Sequence, residues 1–502
     1  MFKTICRIRF SESLNEIRLQ LENHRKDSFG PDERIVIVQD VEDNYDYIDS
    51  AGVKLIEIQK LVNQVDISNC FIKIETANTE IADELEYIKQ HYSLDNTSFD
   101  FEIVPGNYNK KFKKYSDTTC KKLWNHLYVG TAGEVNLCCL ADHRFPLGNV
   151  DNSEPKEIIH SDRFEQLRQY QLQGYRIRSC KFCYDREDNG FESSRQSLHE
   201  NTNPVIDTVS LDLRVNNICN FKCRMCSEYF SSSILQETKD RFGSDSVLGH
   251  EQVSLNTVDK STRANRVTKI LPTVTTETQD IYFAGGEPLI TFEHYQILDR
   301  LIELNHTNLK ILYNTNLSNL SFKGKNVIDY WKQFQNVTVG ISIDASDKVA
   351  EYMRHGTVWN NIVKNLNTVK SQAPHVNLQI TSTVSFLTVE NLIKLQQYWL
   401  QEKTFTEEQL FVNILTEPNF YSVSVLPDEH KSILNDIINK HIEFVSSNGL
   451  KTQWENVKNY MNTNNHSYAL PEFIKTTKGL DQYRKESFVD TFPQFADLLL
   501  VD

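Results

Sequence analysis

The segment NNICNFKCRMC, residues 216–226, contains Cys219, Cys223 and Cys226 within eight positions. Disulfides use an even number of thiols, and a structural zinc site normally takes four protein ligands. Three thiolates on one short loop can instead each bind a different iron of a cubic [4Fe–4S] cluster. The fourth iron then has no protein ligand and can accept a substrate or cofactor. The spacing therefore predicts an open iron–sulfur site.

Two alternatives to an iron–sulfur site stay open at this point. A zinc site would need a fourth ligand, and the nearest histidines, His199 and His250, lie well away in the sequence. The three cysteines could also be buried together without binding a metal, as free cysteines often are. Chance would rarely place three in eight positions, so a metal site is favoured.

Alternating strand and helix patterns surround this segment from residue 205 to residue 425. Short β-branched and aromatic runs predict strands at Val209–Val215, Ile281–Ala284, Leu309–Tyr313, Val337–Ile343, Val376–Val384 and Leu410–Leu415. Helical spacing of apolar residues predicts helices at 228–242, 291–305, 325–335, 357–370, 388–402 and 428–447. One face of the helix at 357–370 is predicted to carry Val358, Ile362, Leu366 and Val369. Six strand–helix units predict an α/β fold with an open, partial (β/α)6 barrel.

The second predicted strand ends in Gly285-Gly286-Glu287-Pro288. In a parallel barrel, the loops at the carboxyl ends of the strands build the active site. Paired glycines at such an end let the backbone approach a ligand closely and adopt a positive φ. The free main-chain groups and the Glu287 carboxylate would suit the ammonium group of an amino acid.

The next strand ends carry further hydrogen-bonding side chains. The third strand leads into Asn314 and Asn316, and the fourth carries Ser342 and Asp344, which strand alternation would place on one face. Arg354 follows and could pair with a carboxylate. Each residue alone could be an ordinary polar residue, but together they predict a ligand-binding rim.

C-x3-C-x2-C, then GGEP, then the Ser-x-Asp pair resemble the radical S-adenosylmethionine (radical SAM) superfamily over residues 205–425. The resemblance implies that a [4Fe–4S] cluster on the three cysteines binds SAM through its unique iron. Met225 stands where many members have an aromatic residue, and it would cover the adenine edge. The other implied SAM contacts are Gly285, Gly286, Glu287 and Pro288 for the amino group, Asn314, Ser342 and Asp344 for the ribose, and Arg354 for the carboxylate.

The same resemblance implies a reaction. An electron from a reductant such as flavodoxin or ferredoxin would enter the cluster and cleave SAM to methionine and a 5′-deoxyadenosyl radical. The radical would take a hydrogen atom from a peptide or small-molecule substrate, while the protein supplies alignment and excludes water. No residue selects the substrate, so no substrate-side acid or base is predicted.

A second group of cysteines lies in residues 116–200. Cys120, Gly133-x4-Cys138 and Cys180-x2-Cys183 resemble the twitch or SPASM auxiliary-cluster module of the same superfamily. Four cysteines would close a second [4Fe–4S] cluster completely, which suits electron transfer or a structural role. In the better-known SPASM enzymes this module follows the barrel, whereas here it precedes it.

Two questions about this second group stay open. Cys139 is the rival of Cys138 as the fourth ligand, although the Gly-x4-Cys spacing favours Cys138. A zinc knuckle is the alternative to an iron–sulfur cluster, because four thiolates also satisfy zinc.

The ends of the chain are less informative. Residues 1–107 alternate four strand patterns with three helical patterns (13–24, 53–65 and 80–92) and predict a three-layer parallel α/β domain, with Cys6 and Cys70 in its core. This region has no G-x-G-x-x-G motif and no P-loop, so a docking or scaffold role is preferred. The basic cluster at 109–115 is interpreted as a linker. Residues 426–502 are predicted to be helical.

Composition limits the function classes. The chain has 502 residues and a net charge of −14, which argues against a broad nucleic-acid footprint. It has no run of 18 apolar residues and no signal-peptide pattern at its start, so a cytoplasmic protein without a membrane span is expected. Two alternatives to the radical enzyme remain. One is a non-catalytic scaffold or binding protein whose fold is stabilised by an iron–sulfur cluster or zinc, and the other is an RNA-modifying radical SAM enzyme.

Overall fold

The computed structural model describes residues 3–9, 16–19, 33–39, 70–76, 99–105, 114–142, 146–188, 190, 192–196, 209–243 and 260–500. The chain divides into two compact units. The first contains Met1–Asn125, Asn136–Leu147 and Ile158–Ile206, and the second contains His126–Val135, Gly148–Glu157 and Asp207–Asp502.

Four parallel strands near the N-terminus pair in chain order: β1 Lys3–Arg9, β2 Glu33–Gln39, β3 Cys70–Thr76 and β4 Phe99–Pro105. They coincide with the four strand patterns of the sequence. The helices predicted between them lie outside the described residues, apart from a helical turn at 16–19. The side chains of Cys6 and Cys70 and most of the basic segment at 109–115 also lie outside them.

The second unit is built on a sheet of nine strands. In chain order they are β5 His126–Val129, β6 Glu134–Asn136, β7 Gly148–Asn149, β8 Ser210–Leu213, β10 Asp280–Phe283, β11 Lys310–Thr315, β14 Asn336–Ile341, β16 Asn377–Val384 and β17 Leu410–Ile414. The two-residue strand β9 Lys222–Cys223 lies between β8 and β10 in the chain and is not part of this sheet. Their spatial order is β17-β16-β14-β11-β10-β8-β5-β6-β7. Three two-residue strands complete the set: β12 Ser321–Phe322, β13 Lys325–Asn326 and β15 Arg354–His355.

Six of these strands match the predicted barrel strands. They are β8, β10, β11, β14, β16 and β17, and each pairs in parallel with the next. The α/β class with a mostly parallel central sheet is therefore confirmed. That the six strands curve into a partial barrel stays a prediction.

The sheet continues beyond the predicted barrel strands into the cysteine-rich part of the sequence. Strand β5 pairs in parallel with β8, from His126 opposite Ser210 to Val129 opposite Leu213. All four residues of β5 are buried, as expected of a strand inside a parallel sheet. This strand lies in the region predicted to be the auxiliary module, and its pairing with β8 was not predicted.

Helices occur along the chain between these strands and after the last of them. They are α1 Lys122–Asn125, α2 Pro155–Ile159, α3 Asp162–Leu172, α4 Lys181–Asp188, α5 Ser232–Phe242, α6 Lys260–Ile270, α7 Phe292–Glu303, α8 Val327–Trp331, α9 Asp347–Met353, α10 Trp359–Gln372, α11 Val389–Gln401, α12 Asp428–Phe444, α13 Asn448–Thr463, α14 Leu470–Arg484 and α15 Phe488–Thr491. Helices α1 to α4, α6 and α9 were not predicted, and α8 is shorter than the predicted 325–335.

The predicted apolar face of helix α10 is correct at three of four positions. Ile362, Leu366 and Val369 are buried, whereas Val358 is 53% exposed. Val358 is the residue before the first helical turn and has an extended backbone, so it does not share the helical periodicity.

The edge strand β17 is covered by a helix from the C-terminal region. Gln453 of α13 accepts a hydrogen bond from the backbone N–H of Val412 at 2.6 Å. This contact satisfies a main-chain donor that a bare sheet edge would leave unpaired. Within the part of the chain that the structure describes, no helix combines the length and the apolar character needed to cross a membrane.

Candidate functional site

The loop that follows strand β8 carries the three clustered cysteines. Its strand β9 pairs antiparallel with β15, which puts Cys223 opposite Arg354. Burial raises the pKa of all three thiols, to about 12 for Cys226. The charges of Cys223 and Cys226 raise the pKa of Cys219 further. One buried thiol, Cys223, and two half-buried thiols within eight residues of the chain fit a thiophilic metal cluster, whose binding would displace their protons.

The glycine turn after strand β10 packs directly on this loop. The backbone N–H of Glu287 donates to the carbonyl oxygen of Ile218 at 2.7 Å. A Cβ atom at Gly286 would lie 2.2 Å from that same oxygen, and Gly285 has a φ of +106° beside Arg214. The two glycines are therefore required for the close approach of the turn to the cysteine loop.

The carboxylate of Glu287 joins the second strand end to the third. It accepts hydrogen bonds from the Thr315 hydroxyl at 2.6 Å, the Asn316 N–H at 2.7 Å and the Leu289 N–H at 3.1 Å. Burial raises its pKa to about 7 against these donors, and its charge in turn raises the pKa of Cys219. The side chain of Glu287 thus fixes the loops around the cysteines.

An ion pair links the fourth strand end to the cysteine loop. Arg354 donates to both carboxylate oxygens of Asp344, at 2.7 and 3.0 Å, and its Nη1 lies 3.7 Å from the Sγ of Cys223. Asp344 also accepts the N–H of Thr383 at 2.7 Å. Burial lowers the pKa of Arg354, but the charges of Asp344 and Cys223 outweigh it and raise that pKa overall.

The remaining predicted rim residues occupy less constrained positions. Strand β14 ends at Ile341, so Ser342 and Asp344 follow the strand and the prediction that both lie on it is wrong. Ile341 pairs with Thr315, the last residue of β11, so β11 offers no strand partner beyond it, and Ile341 is also the last residue that pairs with β16. Ser342 is half-buried and its N–H donates to the Thr315 carbonyl at 2.9 Å. Of the other rim residues, Asn314 is exposed, Met225 is half-buried and Pro288 is buried.

Arg224, which lies between two of the clustered cysteines, was not predicted from the sequence to have a role. Its side chain is fully buried, and its Nη2 donates to Asp481 and to Glu486, both at 2.6 Å. The guanidinium also stacks 3.7 Å from the centre of the Tyr352 ring. An arginine in a cysteine loop gives no sequence signal for partners that lie so far along the chain.

Five further cysteines whose side chains the structure describes lie in the first unit. Cys183 is buried in helix α4, Cys180 ends the 3₁₀ turn just before it, and Cys120, Cys138 and Cys139 are half-buried. Burial raises the pKa of Cys120, and a charge on Cys183 raises it further. Burial likewise raises the pKa of Cys138 to about 12, with contributions from Cys139 and Cys120. These thiols fit a second metal cluster, and the choice between Cys138 and Cys139 as a ligand stays open.

A buried arginine bridges two carboxylates beside this second group, as Arg224 does beside the first. Arg195 donates to both carboxylate oxygens of Glu187, at 3.0 and 2.6 Å, and to Asp117 at 2.9 Å. It also donates to the carbonyl of Thr119, the residue before Cys120, at 2.9 Å. Its side chain is 2% exposed. The segment leading to Cys120 is therefore tied to helix α4, which carries Cys183.

Comparisons with known proteins match both cysteine groups. The family model described as an iron–sulfur cluster-binding domain, SPASM, matches residues 120–184, and that of the radical SAM superfamily matches residues 213–392. No curated protein matches the chain. A solved structure described as native anSMEcpe with bound AdoMet is 19% identical with a TM-score of 0.31, over 49% of this chain and 62% of that one. The structure of CpGH84B is 9% identical with a TM-score of 0.14, over 99% of this chain and 73% of the other.

Proposed function

Since this chain is a radical SAM enzyme with a SPASM domain, we propose that Cys219, Cys223 and Cys226 hold its SAM-binding [4Fe–4S] cluster. The observation that carries the proposal is the set of contacts that ties the strand ends to these sulfurs. The glycine turn hydrogen bonds to the loop through Ile218, and Arg354 contacts Cys223 while it pairs with Asp344. These contacts hold the glycine turn and Arg354 against the cysteine loop.

When bound, the cluster supplies the electron that cleaves SAM to methionine and a 5′-deoxyadenosyl radical, which takes a hydrogen atom from the substrate. The chain holds and orients SAM for this reaction. The main chain of Gly285–Glu287, with Pro288, binds the amino group. Arg354 uses two of its nitrogens for Asp344, and the Nη1 that faces Cys223 has N–H groups for the SAM carboxylate.

The remaining rim residues complete the proposed SAM site. Asn314 and Ser342 donate to the ribose, and Met225 covers the adenine edge. Asp344 belongs to the same site, but its oxygens already accept from Arg354 and Thr383. We therefore propose that Asp344 chiefly orients Arg354 and that it lies beside the ribose as a second role.

The auxiliary cluster of the SPASM domain is proposed to be ligated by Cys120, Cys138, Cys180 and Cys183. Four thiolates leave no iron open, so this cluster accepts an electron from the substrate radical or shapes the site. The substrate is proposed to be a peptide or small molecule, because the net charge of −14 argues against nucleic acid. A flavodoxin or ferredoxin is the proposed electron donor.

Anaerobic reconstitution, reduction and incubation with SAM test this function. We expect 5′-deoxyadenosine from the wild-type protein and none above background from Cys223→Ala. The matched control is Cys180→Ala, which should lose about half of the bound iron but keep SAM cleavage, since its thiol belongs to the other cluster. Wild-type protein that binds iron yet never cleaves SAM would instead support a metal-pinned scaffold.

A further inference from the structure

A glutamine side chain reaches into the auxiliary cysteine group. Gln171 is the penultimate residue of helix α3 and is 1% exposed. Its Oε1 accepts the backbone N–H of Cys120 at 3.0 Å, and its Nε2 lies 3.8 Å from the Sγ of Cys180 with donor geometry. The same Nε2 also donates to the Tyr184 hydroxyl at 3.3 Å. One amide therefore contacts two segments that carry predicted cluster ligands, the one that leads to Cys120 and the one from Cys180 to Tyr184.

The surroundings of Gln171 hold the amide in this orientation. Its backbone carbonyl accepts the Thr118 hydroxyl at 2.6 Å, and the Tyr184 hydroxyl donates to the Thr118 carbonyl at 2.8 Å. The amide oxygen is used by the N–H of Cys120, so a flipped amide would place two donors against each other. The N–H groups of the amide are consequently directed to the sulfur and the phenol.

We propose that Gln171 is a positioning residue that sets the reduction potential of the auxiliary cluster. Reduction adds negative charge to an iron–sulfur cluster and its thiolates, and an N–H donor to a ligand sulfur stabilises that charge. Burial strengthens such a bond, because water does not compete for either partner. The amide of Gln171 therefore makes the cluster easier to reduce. This inference rests on the proposed ligation by Cys120, Cys138, Cys180 and Cys183.

The variant Gln171→Glu separates this role from simple packing. Glutamate keeps the size of the side chain and an oxygen acceptor for the Cys120 N–H, but it replaces the donor to Cys180 with a negative oxygen. In protein whose catalytic cysteines are replaced, so that only the auxiliary cluster is present, we expect its midpoint potential to become more negative. The matched control Gln173→Glu makes the same change two residues on at an exposed position, where water screens the charge, and should leave the potential unchanged.

The outcomes distinguish this inference from the proposed ligation. If Cys180→Ala keeps all of its iron, the ligation itself is wrong. If Cys180→Ala loses the auxiliary cluster but Gln171→Glu has the wild-type potential, only the role of Gln171 is overturned.

A second measurement applies if Gln171→Glu fails to take up the auxiliary cluster. Protein with wild-type Gln171, made with glutamine carrying ¹⁵N only in its side chain, should show a ¹⁵N hyperfine coupling to the reduced auxiliary cluster in pulsed electron paramagnetic resonance. The variant Gln171→Leu, made with the same labelled glutamine, gives the background from the other glutamines. No coupling above that background would overturn the proposal.

Discussion

The two cysteine groups are braced in the same way but differ in the side chain that reaches a sulfur. A buried arginine bridges two carboxylates beside each group: Arg224 joins Asp481 and Glu486, and Arg195 joins Glu187 and Asp117. At the loop of residues 219–226, however, the guanidinium of Arg354 contacts a sulfur, whereas the neutral amide of Gln171 does so in the second group.

This difference agrees with the proposed tasks of the two clusters. A cluster with an open iron has to hold an anionic carboxylate of SAM close to its thiolates, and a fixed cation offsets that negative charge. A closed cluster binds no further ligand, so a neutral donor is enough to adjust its potential. The following predictions test whether each brace serves only its own cluster.

The largest expected effect comes from exchanging the two bracing arginines for alanine. Arg224→Ala leaves Asp481 and Glu486 partly buried without their cation, and breaking a buried pair in this way costs about 3–5 kcal/mol. We expect it to lower the iron content and abolish SAM cleavage while the auxiliary cluster is retained. Arg195→Ala should lose the auxiliary cluster but keep the catalytic cluster and SAM cleavage. Iron content, SAM cleavage and the free energy of unfolding of both apoproteins measure the effects, and two variants that lose both clusters equally would contradict separate braces.

A smaller effect is expected where the glycine turn meets the catalytic loop. In Gly286→Ala the new methyl group would meet the Ile218 carbonyl, which belongs to the backbone and has to shift. Such overpacking costs about 1–3 kcal/mol, and it should weaken SAM binding because the shift moves the cysteine loop. Gly449→Ala is the control, since a methyl group there would contact only the Ser447 hydroxyl at 3.5 Å. Equal SAM affinity in both variants would show that the turn tolerates the shift.

The sequence predicted those features that are local in the chain. The three cysteines of the catalytic loop and the glycine turn each occupy a few consecutive residues, and the predicted family, its SAM-binding cluster and an auxiliary cluster are confirmed by the domain matches. The six parallel strands were predicted because their apolar runs are short and separated by helical patterns. The ligand assignments themselves stay predictions.

The features that the sequence did not reveal depend on distant partners. Arg224 and Asp481 are 257 positions apart, and neither residue type nor spacing signals their contact. The alternating pattern continues past Ile341, but strand β14 ends where its neighbours stop pairing with it. Gln171 lies in an ordinary amphipathic helix, and only the fold brings its amide to Cys120 and Cys180.

Arg354→Lys tests whether the cation at the catalytic sulfur needs the geometry of a guanidinium. Lysine keeps the charge but cannot donate to both oxygens of Asp344 and reach Cys223 at once. We expect SAM affinity to fall about tenfold, which corresponds to about 1.4 kcal/mol. Equilibrium SAM binding to the reconstituted enzyme measures this loss, and the potential of the auxiliary cluster should not move. An unchanged affinity would mean that only the positive charge matters.

The smallest expected effect uses acid to weaken the brace of the catalytic loop. Burial would raise the pKa of Glu486, but the hydrogen bond from His355 and the charge of Arg224 outweigh it and lower that pKa below its ordinary value of 4.5. The stability from the ionised carboxylate is therefore fully present above pH 4.5 and is lost as the pH falls through the lowered pKa. Glu486→Gln apoprotein should be about 1 kcal/mol less stable than wild type at pH 7, as for a typical net hydrogen bond, because Gln keeps the shape and loses only the charge. In urea unfolding, the difference in the free energy of unfolding between wild type and Glu486→Gln should close as the pH falls below 4.5. The control Glu472→Gln changes an exposed carboxylate on helix α14 and should match wild type at every pH. A gap that stays constant with pH would mean that the charge of Glu486 does not stabilise the brace.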